Sequence, residues 1–267
     1  MNILQVLFKS SIGKKVTMAA TGFILLGFVI GHLVGNLQIF SHPDKINAYA
    51  HLLESLGPGL WAIRLFLLAA VAVHVWLAVQ LTLENRQARP DGYQKKITLR
   101  ATLASRTMRW TGLVVFAFIV YHLLHFTIRV THGPKFYPMT VLADGTTVRD
   151  VHSMMVLGFQ NPLLATFYLI SVGLLSWHLS HGLVSMFQSI GLRTRVWSRF
   201  LERISVIFCI LYFIGNAVIV IAAMTGQIRI QNPLVAGYVC RDECAVCDAR
   251  NAEAVAESVE IAKDSQS

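Results

Sequence analysis

Long uncharged stretches separated by short polar segments dominate this 267-residue chain. Five of the stretches contain no Asp, Glu, Lys or Arg over at least about 18 residues, which is enough for a membrane-spanning helix. The fourth stretch runs from residue 151 to 192, and we begin its helix at Pro162, because proline fits the first turn of a helix. The pattern therefore predicts an all-α, polytopic membrane protein with a bundle of five transmembrane helices. We place these helices at residues 17–40, 65–83, 110–128, 162–187 and 204–228.

Composition and charge fit a membrane protein and exclude a nucleic-acid partner. Hydrophobic residues make up 55% of the chain and charged residues 14%, whereas a soluble domain carries about 25% charged residues. The net charge of +9 is concentrated in short basic segments, mainly at the N-terminus and at residues 84–109 and 193–203. Such segments contact anionic lipid headgroups and mark the cytoplasmic side. We therefore predict a multi-pass protein of the bacterial cytoplasmic membrane with its N-terminus inside and its C-terminus outside.

Histidines occur in four consecutive predicted helices. Ionisable residues at membrane depth are costly and usually functional, although a single histidine can simply be neutral and hydrogen-bonded to a neighbouring helix. A haem with two histidine ligands needs two imidazoles from facing helices, so four helices can supply two such pairs. In chain order the histidines are His32 in the first helix, His74 in the second, His122 and His125 in the third, and His178 and His181 in the fourth.

The direction of each helix predicts which histidines can meet. Helices one and three run outward, and His32 and His122 lie past their midpoints, in the outer half of the membrane. Helix four runs inward, so His178 lies in the inner half, and His74 of helix two is placed on the same side. We therefore predict an outer pair, His32 with His122, and an inner pair, His74 with His178. Spacing alone leaves open which histidine of each cluster on helices three and four is the ligand.

Four segments around the histidines and in the first connection are similar to those of a known family. The segments are GFVIGHLVGN, NAYAHLLESLGP, TGLVVFAFIVYHLLHFTIR and YLISVGLLSWHLSHGL. Together with the 42-residue step from His32 to His74, they resemble the dihaem, five-helix cytochrome b anchor of succinate:quinone oxidoreductases and fumarate reductases, over roughly residues 10–225. The resemblance implies two haem b groups, an iron–sulfur subunit and a flavoprotein subunit as partners, and a low-potential quinone such as menaquinone.

The resemblance also distinguishes the histidines within each cluster. It implies that the ligands are the first of each cluster, His122 and His178, rather than His125 and His181. The latter two lie three residues further along a neighbouring part of the same helical face, where they can bond haem propionates, line a quinone pocket or simply pack. Arg129, at the outer end of the third helix, can pair with an outer propionate or serve as an interfacial anchor.

Glu54 and His51 lie in the outer connection, on a short amphipathic stretch. In the family that the chain resembles, an acidic residue in a similar place takes part in quinone protonation beside the outer haem. Glu54 is therefore a candidate for passing protons between the outside and the quinone, with His51 as a candidate for cofactor binding beside it. The alternative for Glu54 is a solvated loop acid.

The chain divides into a membrane domain, residues 1–230, and a polar C-terminal tail, residues 231–267, and no internal repeat is evident. In the tail, Cys240, Cys244 and Cys247 form the pattern Cys-x3-Cys-x2-Cys, which departs from the usual family pattern. Three close thiols can bind an iron–sulfur cluster or zinc with a fourth ligand from elsewhere. An oxidising exterior favours instead one disulfide and a spare thiol, and both alternatives stay open.

The predicted function is that of a membrane anchor and electron-transfer subunit of succinate dehydrogenase or fumarate reductase. Electrons would pass between the iron–sulfur subunit and membrane quinone through the two haems. The chain takes part in the enzyme only as a subunit, because nothing in its sequence resembles a flavin or dicarboxylate site. Two alternatives are the cytochrome b subunit of a hydrogenase or formate dehydrogenase, and a haem-free transporter that uses the histidines as a proton relay.

Overall fold

The computed structural model describes residues 7–88, 102–133, 136–232 and 235. Over these residues the protein is all-α except for one short hairpin, and five helices are long and apolar enough to cross a membrane. The predicted all-α architecture with five spans is therefore confirmed. In chain order the helices are α1 (Ser11–Asn36), α2 (Pro43–Ser55), α3 (Pro58–Gln87), α4 (Leu103–His122), α5 (Val151–Gln160), α6 (Pro162–Ser189) and α7 (Arg195–Met224).

Two membrane helices continue beyond their regular ends. A 3₁₀ turn, Leu37–Phe40, extends α1, and a π-helical turn, Leu123–Ile128, extends α4. With these turns the five spans have 26 to 30 residues each, which at 1.5 Å per residue exceeds the roughly 30 Å of bilayer hydrocarbon. The spans are longer than the uncharged windows because charged residues near their ends, such as Glu84 and Arg199, are helical as well.

Short polar side chains begin four of the five membrane helices. The hydroxyls of Ser10, Thr102 and Thr194 each accept a hydrogen bond from a backbone N–H in the first turn of α1, α4 and α7. The side chain of Asn161 does the same for α6, and Pro162 occupies the first turn, so the predicted start of that helix is confirmed. These caps satisfy N–H groups that the helix leaves without a partner.

The central helix of the bundle is α6, which packs against α1, α4, α5 and α7. In turn, α1 packs against α3 and α7. The larger buried apolar cluster joins residues of α5, α6 and α7 to Phe118 of α4 and to Ile39 and Ile46. Large apolar side chains such as Phe23 and Trp110 are exposed on the outside of the bundle, as expected for helices that face lipid tails.

The connections α1–α3 and α4–α6 meet at one end of the bundle and form a cap, residues 41–57 and 136–161. It contains α2, α5 and an antiparallel hairpin of β1 (Met139–Val141) and β2 (Thr147–Arg149). The amphipathic stretch expected around Glu54 is α2. The hairpin and α5 were not predicted. The strands of the hairpin have three residues each, too few to show an alternating pattern. In the predicted orientation the cap faces outside.

The opposite end, called here the basic end, carries the described charged residues of 84–88, 102–109 and 193–203. An ion pair there joins α1 to α3, between the buried Lys14 ammonium and the Glu84 carboxylate. Pairing lets the lysine be buried without an uncompensated charge. Residues 89–101 of the first segment lie outside the described residues, as does most of the predicted tail.

Candidate functional site

The structure brings the rings of the predicted outer pair together. The ring centroids of His32 on α1 and His122 on α4 are 5.7 Å apart, and the ring planes are nearly perpendicular at 86°. Two imidazoles that bind one metal ion at about 2 Å each have centroids roughly 6 Å apart. The two rings are therefore spaced as axial ligands of a shared metal ion would be.

Aromatic side chains surround this outer pair. Phe28, one turn before His32, stacks on that imidazole at 5.4 Å, and Phe118, one turn before His122, lies at 5.8 Å from its ring. The Tyr168 hydroxyl lies 3.5 Å from His122 Nδ1. The pair thus has an apolar, aromatic setting that suits a flat macrocycle.

The inner pair, His74 on α3 and His178 on α6, shows a different arrangement. Each ring lies against a Thr–Gly step of a neighbouring helix, with His74 Nδ1 3.0 Å from Thr21 Oγ1 of α1 and His178 Nδ1 3.3 Å from Thr111 Oγ1 of α4. The two imidazoles are also close enough to interact electrostatically. The structure therefore places both members of the predicted inner pair within one region of the bundle.

Hydrogen bonding determines which nitrogen of each inner ring is free. The Thr21 and Thr111 hydroxyls lie 3.0 Å from the carbonyl oxygens of Met18 and Met108 and donate to them. Each hydroxyl has one proton, so with that proton on the carbonyl its oxygen faces the imidazole as an acceptor. The ring nitrogen facing it, Nδ1, is then the donor, and Nε2 keeps the lone pair that a metal ion needs.

The two halves of the bundle repeat the same residues at the same spacing. The pattern Met-x2-Thr-Gly-x5-Phe-x3-His occurs in both α1 and α4. Helices α3 and α6 each begin at a proline that precedes the histidine by 16 residues. The matched residues are Met18, Thr21, Gly22, Phe28, His32, Pro58 and His74 in the first half, and Met108, Thr111, Gly112, Phe118, His122, Pro162 and His178 in the second.

The expectation that the chain has no internal repeat is therefore wrong. The repeat is easily missed because its members are single positions among interchangeable apolar residues, and because the two connections differ in length. The matched residues also make matching contacts. Each threonine contacts a histidine of the inner pair, and each phenylalanine packs beside the histidine of the outer pair on its own helix. Each histidine pair thus consists of equivalent residues from the two halves. The repeated spacing is also the signal that could have identified the two threonines from sequence.

Gly22→Ala and Gly112→Ala are expected to differ in their effect on stability. Either change gains about 1 kcal/mol of helix propensity. A Cβ at Gly22 would lie 3.5 Å from His74 Cε1, an ordinary contact, but at Gly112 it would lie 3.3 Å from His178 Cε1. Overpacking costs about 1 kcal/mol or more, so only Gly22→Ala should raise the midpoint of thermal unfolding in detergent. Equal midpoints for the two variants would contradict the closer approach at Gly112.

His125 lies in the π-helical turn that continues α4. His125 is fully buried, and its Nδ1 lies 2.9 Å from the Tyr168 hydroxyl. Its ring packs against Phe126 and His132, and its Nε2 has no hydrogen-bond partner among the described residues. Tyr168, which sequence reasoning missed, therefore lies between His122 and His125. Turns of this kind often occur at functional sites.

The other candidates from the sequence lie around the two pairs rather than within them. His181 is half-buried one turn beyond His178. Arg129 closes the π-helical turn in a left-handed conformation with φ of 64°. Glu54 pairs with Arg149 of β2 at 3.0 Å on the surface of the cap, and His51 is exposed on α2. Their roles in binding haem or quinone stay predictions.

A buried polar cluster fastens the cap to the bundle, and sequence reasoning did not find it. The Asp150 carboxylate accepts hydrogen bonds from the side-chain amides of Asn47 at 3.2 Å and Asn232 at 2.8 Å, and from the Ser153 backbone N–H at 2.9 Å. The Asn47 side chain accepts in turn from the His152 N–H. Burial lowers the pKa of His152, although the nearby Asp150 opposes this shift. The cluster ties α2 and α5 to the segment that follows α7.

The described residues contain no site in which protein ligands alone would hold a metal ion. No group of three or more His, Cys, Asp or Glu residues there is arranged to hold an ion. Two facing imidazoles still suit a haem, whose macrocycle supplies the remaining four ligands. Cys240, Cys244 and Cys247 lie outside the described residues, so the predicted cluster or zinc site in the tail stays a prediction.

Comparison with known proteins adds no relative. No family model, no curated protein and no solved structure matches this chain. Support for a function therefore comes from the helix bundle, its paired histidines and the repeated pattern around them.

Proposed function

We propose that this chain is the dihaem cytochrome b anchor of a succinate:quinone oxidoreductase in the bacterial cytoplasmic membrane. The observation that carries the proposal is the placement of four histidines at two levels of one bundle, with the outer two in ring contact and each inner one against a Thr–Gly step. A b-type haem with two histidine ligands takes one imidazole from each of two facing helices, and each predicted pair offers two such imidazoles. When bound, two haems supply one-electron transfer along the bundle, between the iron–sulfur subunit and a quinone.

The separation of the two levels supports two haems rather than one. The Thr–Gly step of α1 that contacts His74 lies about ten residues before His32, and the same interval separates the step that contacts His178 from His122. At 1.5 Å per residue, the two pairs lie roughly 15 Å apart along the helices. The same separation in both halves supports two centres in a column.

The residues at the two ends of the bundle support an iron–sulfur subunit at the basic end and a quinone at the cap. The basic end, near the inner pair, offers arginines at the start of α7 to a docked iron–sulfur subunit, which would join the chain to a flavoprotein that carries the succinate site. The cap lies beside the outer pair and contains Glu54 and His51. A low-potential quinone such as menaquinone bound there would have a carboxylate nearby for proton exchange with the outside.

A reduced-minus-oxidised spectrum of the gently solubilised native complex, with haem and iron measured per chain, tests the proposal. We expect two b-type haems per chain, reduced by succinate, with an iron–sulfur subunit and a flavoprotein that co-purify. Absence of haem would overturn the proposal and favour the transporter with a histidine relay. Haem that succinate does not reduce, in a complex with a hydrogenase or formate dehydrogenase, would favour the second redox alternative. Iron beyond the haems and partner clusters would indicate a cluster in the cysteine-containing tail.

A further inference from the structure

We infer that Thr21 and Thr111 are positioning residues for the inner histidine pair. Each holds the neighbouring imidazole, His74 or His178, with its proton on Nδ1, and so presents Nε2 to a shared iron. The inference rests on the proposed function, since it assigns a role to residues beside a proposed haem. It goes further because it identifies the residues that orient His74 and His178 and that set the midpoint potential of the inner haem relative to the outer one.

The geometry of both threonines is that of an acceptor. Thr21 and Thr111 are buried, at 8% and 5% exposure, and their hydroxyl protons are used by carbonyls of their own helices. The oxygen lone pairs therefore face the imidazole N–H at 3.0 and 3.3 Å. In a bilayer no water competes for that N–H, so the bond restrains rotation of the ring and keeps one tautomer.

Ordinary helix packing does not account for this arrangement. Threonines in membrane helices commonly bond only to their own backbone, as Thr17 does one turn before Thr21 with the Gly13 carbonyl. Thr21 and Thr111 do this and contact a histidine as well, at equivalent positions of the repeat. The outer pair has no such threonine among the contacts described, and His122 has only the longer approach of Tyr168. The two centres should therefore differ in ligand basicity.

Replacing each threonine by valine removes the acceptor and keeps the shape, so Thr21→Val, Thr111→Val and the double variant test the inference in the native complex. A hydrogen bond from Nδ1 raises the basicity of Nε2 and favours ferric over ferrous iron. We expect the midpoint potential of the inner haem to rise in each single variant and further in the double one. A tenfold change in relative stabilisation corresponds to about 59 mV for one electron. The outer haem should keep its potential.

Two comparisons make the result decisive. Thr21→Ser and Thr111→Ser retain the acceptor and should keep the wild-type potential, and Thr17→Val, on the same helix without a histidine contact, should have no effect. Unchanged potentials and unchanged electron paramagnetic resonance signals of the inner haem in the double valine variant would overturn the inference and leave the proposed function intact. A shift of the outer haem instead would also overturn it. Absence of haem from the wild-type chain would overturn both.

Discussion

Replacing His178 by alanine is expected to remove the inner haem and leave the outer one, so that haem content falls from two to one per chain. The reason is that a six-coordinate haem needs both axial ligands, and His74 and His178 are the predicted inner pair, each held against a Thr–Gly step of a neighbouring helix. The outer pair lies about ten residues away along the helices, roughly 15 Å, and makes its ring contact independently. Haem per chain and the reduced spectrum, resolved by redox titration, measure the outcome.

The matched control for this experiment lies one turn further along the same helix. His181→Ala removes an imidazole from α6 but not from either pair, and we expect it to retain both haems. Loss of the outer haem in His178→Ala, with the inner one intact, would contradict the pairing. Loss of one haem in His181→Ala but not in His178→Ala would show that the second histidine of the cluster is the ligand.

The spans and the depth of the histidines could be predicted because both follow from simple physical constraints. A charge-free window of sufficient length has few alternatives to a membrane helix. Counting along helices of predicted direction places His32 and His122 at one level, and the structure brings their rings together. The choice between His122 and His125 could not be made in this way. Both lie near the Tyr168 hydroxyl, and only the structure shows the ring of His122 against that of His32.

The cap and the histidine partners escaped prediction for a different reason. Their contacts join residues that are far apart in sequence, as in the approach of Asn47 to Asp150 or of Thr21 to His74. A threonine in an apolar helix looks like a packing residue until the facing helix is known. The only sign in the sequence that Thr21 has a special role is that Thr111 occurs at the equivalent position of the repeated pattern.

The repeat also indicates where the two halves have diverged. Gly35 occupies the position equivalent to His125, and Leu77 the position equivalent to His181. The first connection contains only α2, whereas the second contains the hairpin and α5. The four histidines of the predicted pairs are thus common to both halves, while His125, His181 and the longer connection belong to the second. This difference between the two connections of the cap fits the proposal that quinone binds at the cap end of the bundle.

Asp150→Ala is expected to be the most destabilising change in the cap. Asp150 is 2% exposed and accepts hydrogen bonds from Asn47, Ser153 and Asn232. A buried donor left without its acceptor costs about 1–3 kcal/mol, so losing an acceptor shared by three donors should cost about 3 kcal/mol or more. The cluster ties α2 and α5 to the segment that follows α7. We therefore expect a lower unfolding midpoint in detergent and faster protease cleavage within the cap.

Asp144→Ala is the control for this prediction, because Asp144 is an exposed carboxylate of the same cap. It accepts a hydrogen bond from the Thr146 N–H in the hairpin turn, and its loss should change the unfolding midpoint much less than the loss of Asp150, since water can replace it. The inner pair lies toward the opposite end, so its haem should remain in Asp150→Ala even where the cap is cleaved. A wild-type unfolding midpoint and wild-type protease resistance in Asp150→Ala would show that apolar packing, rather than the buried carboxylate, holds the cap in place.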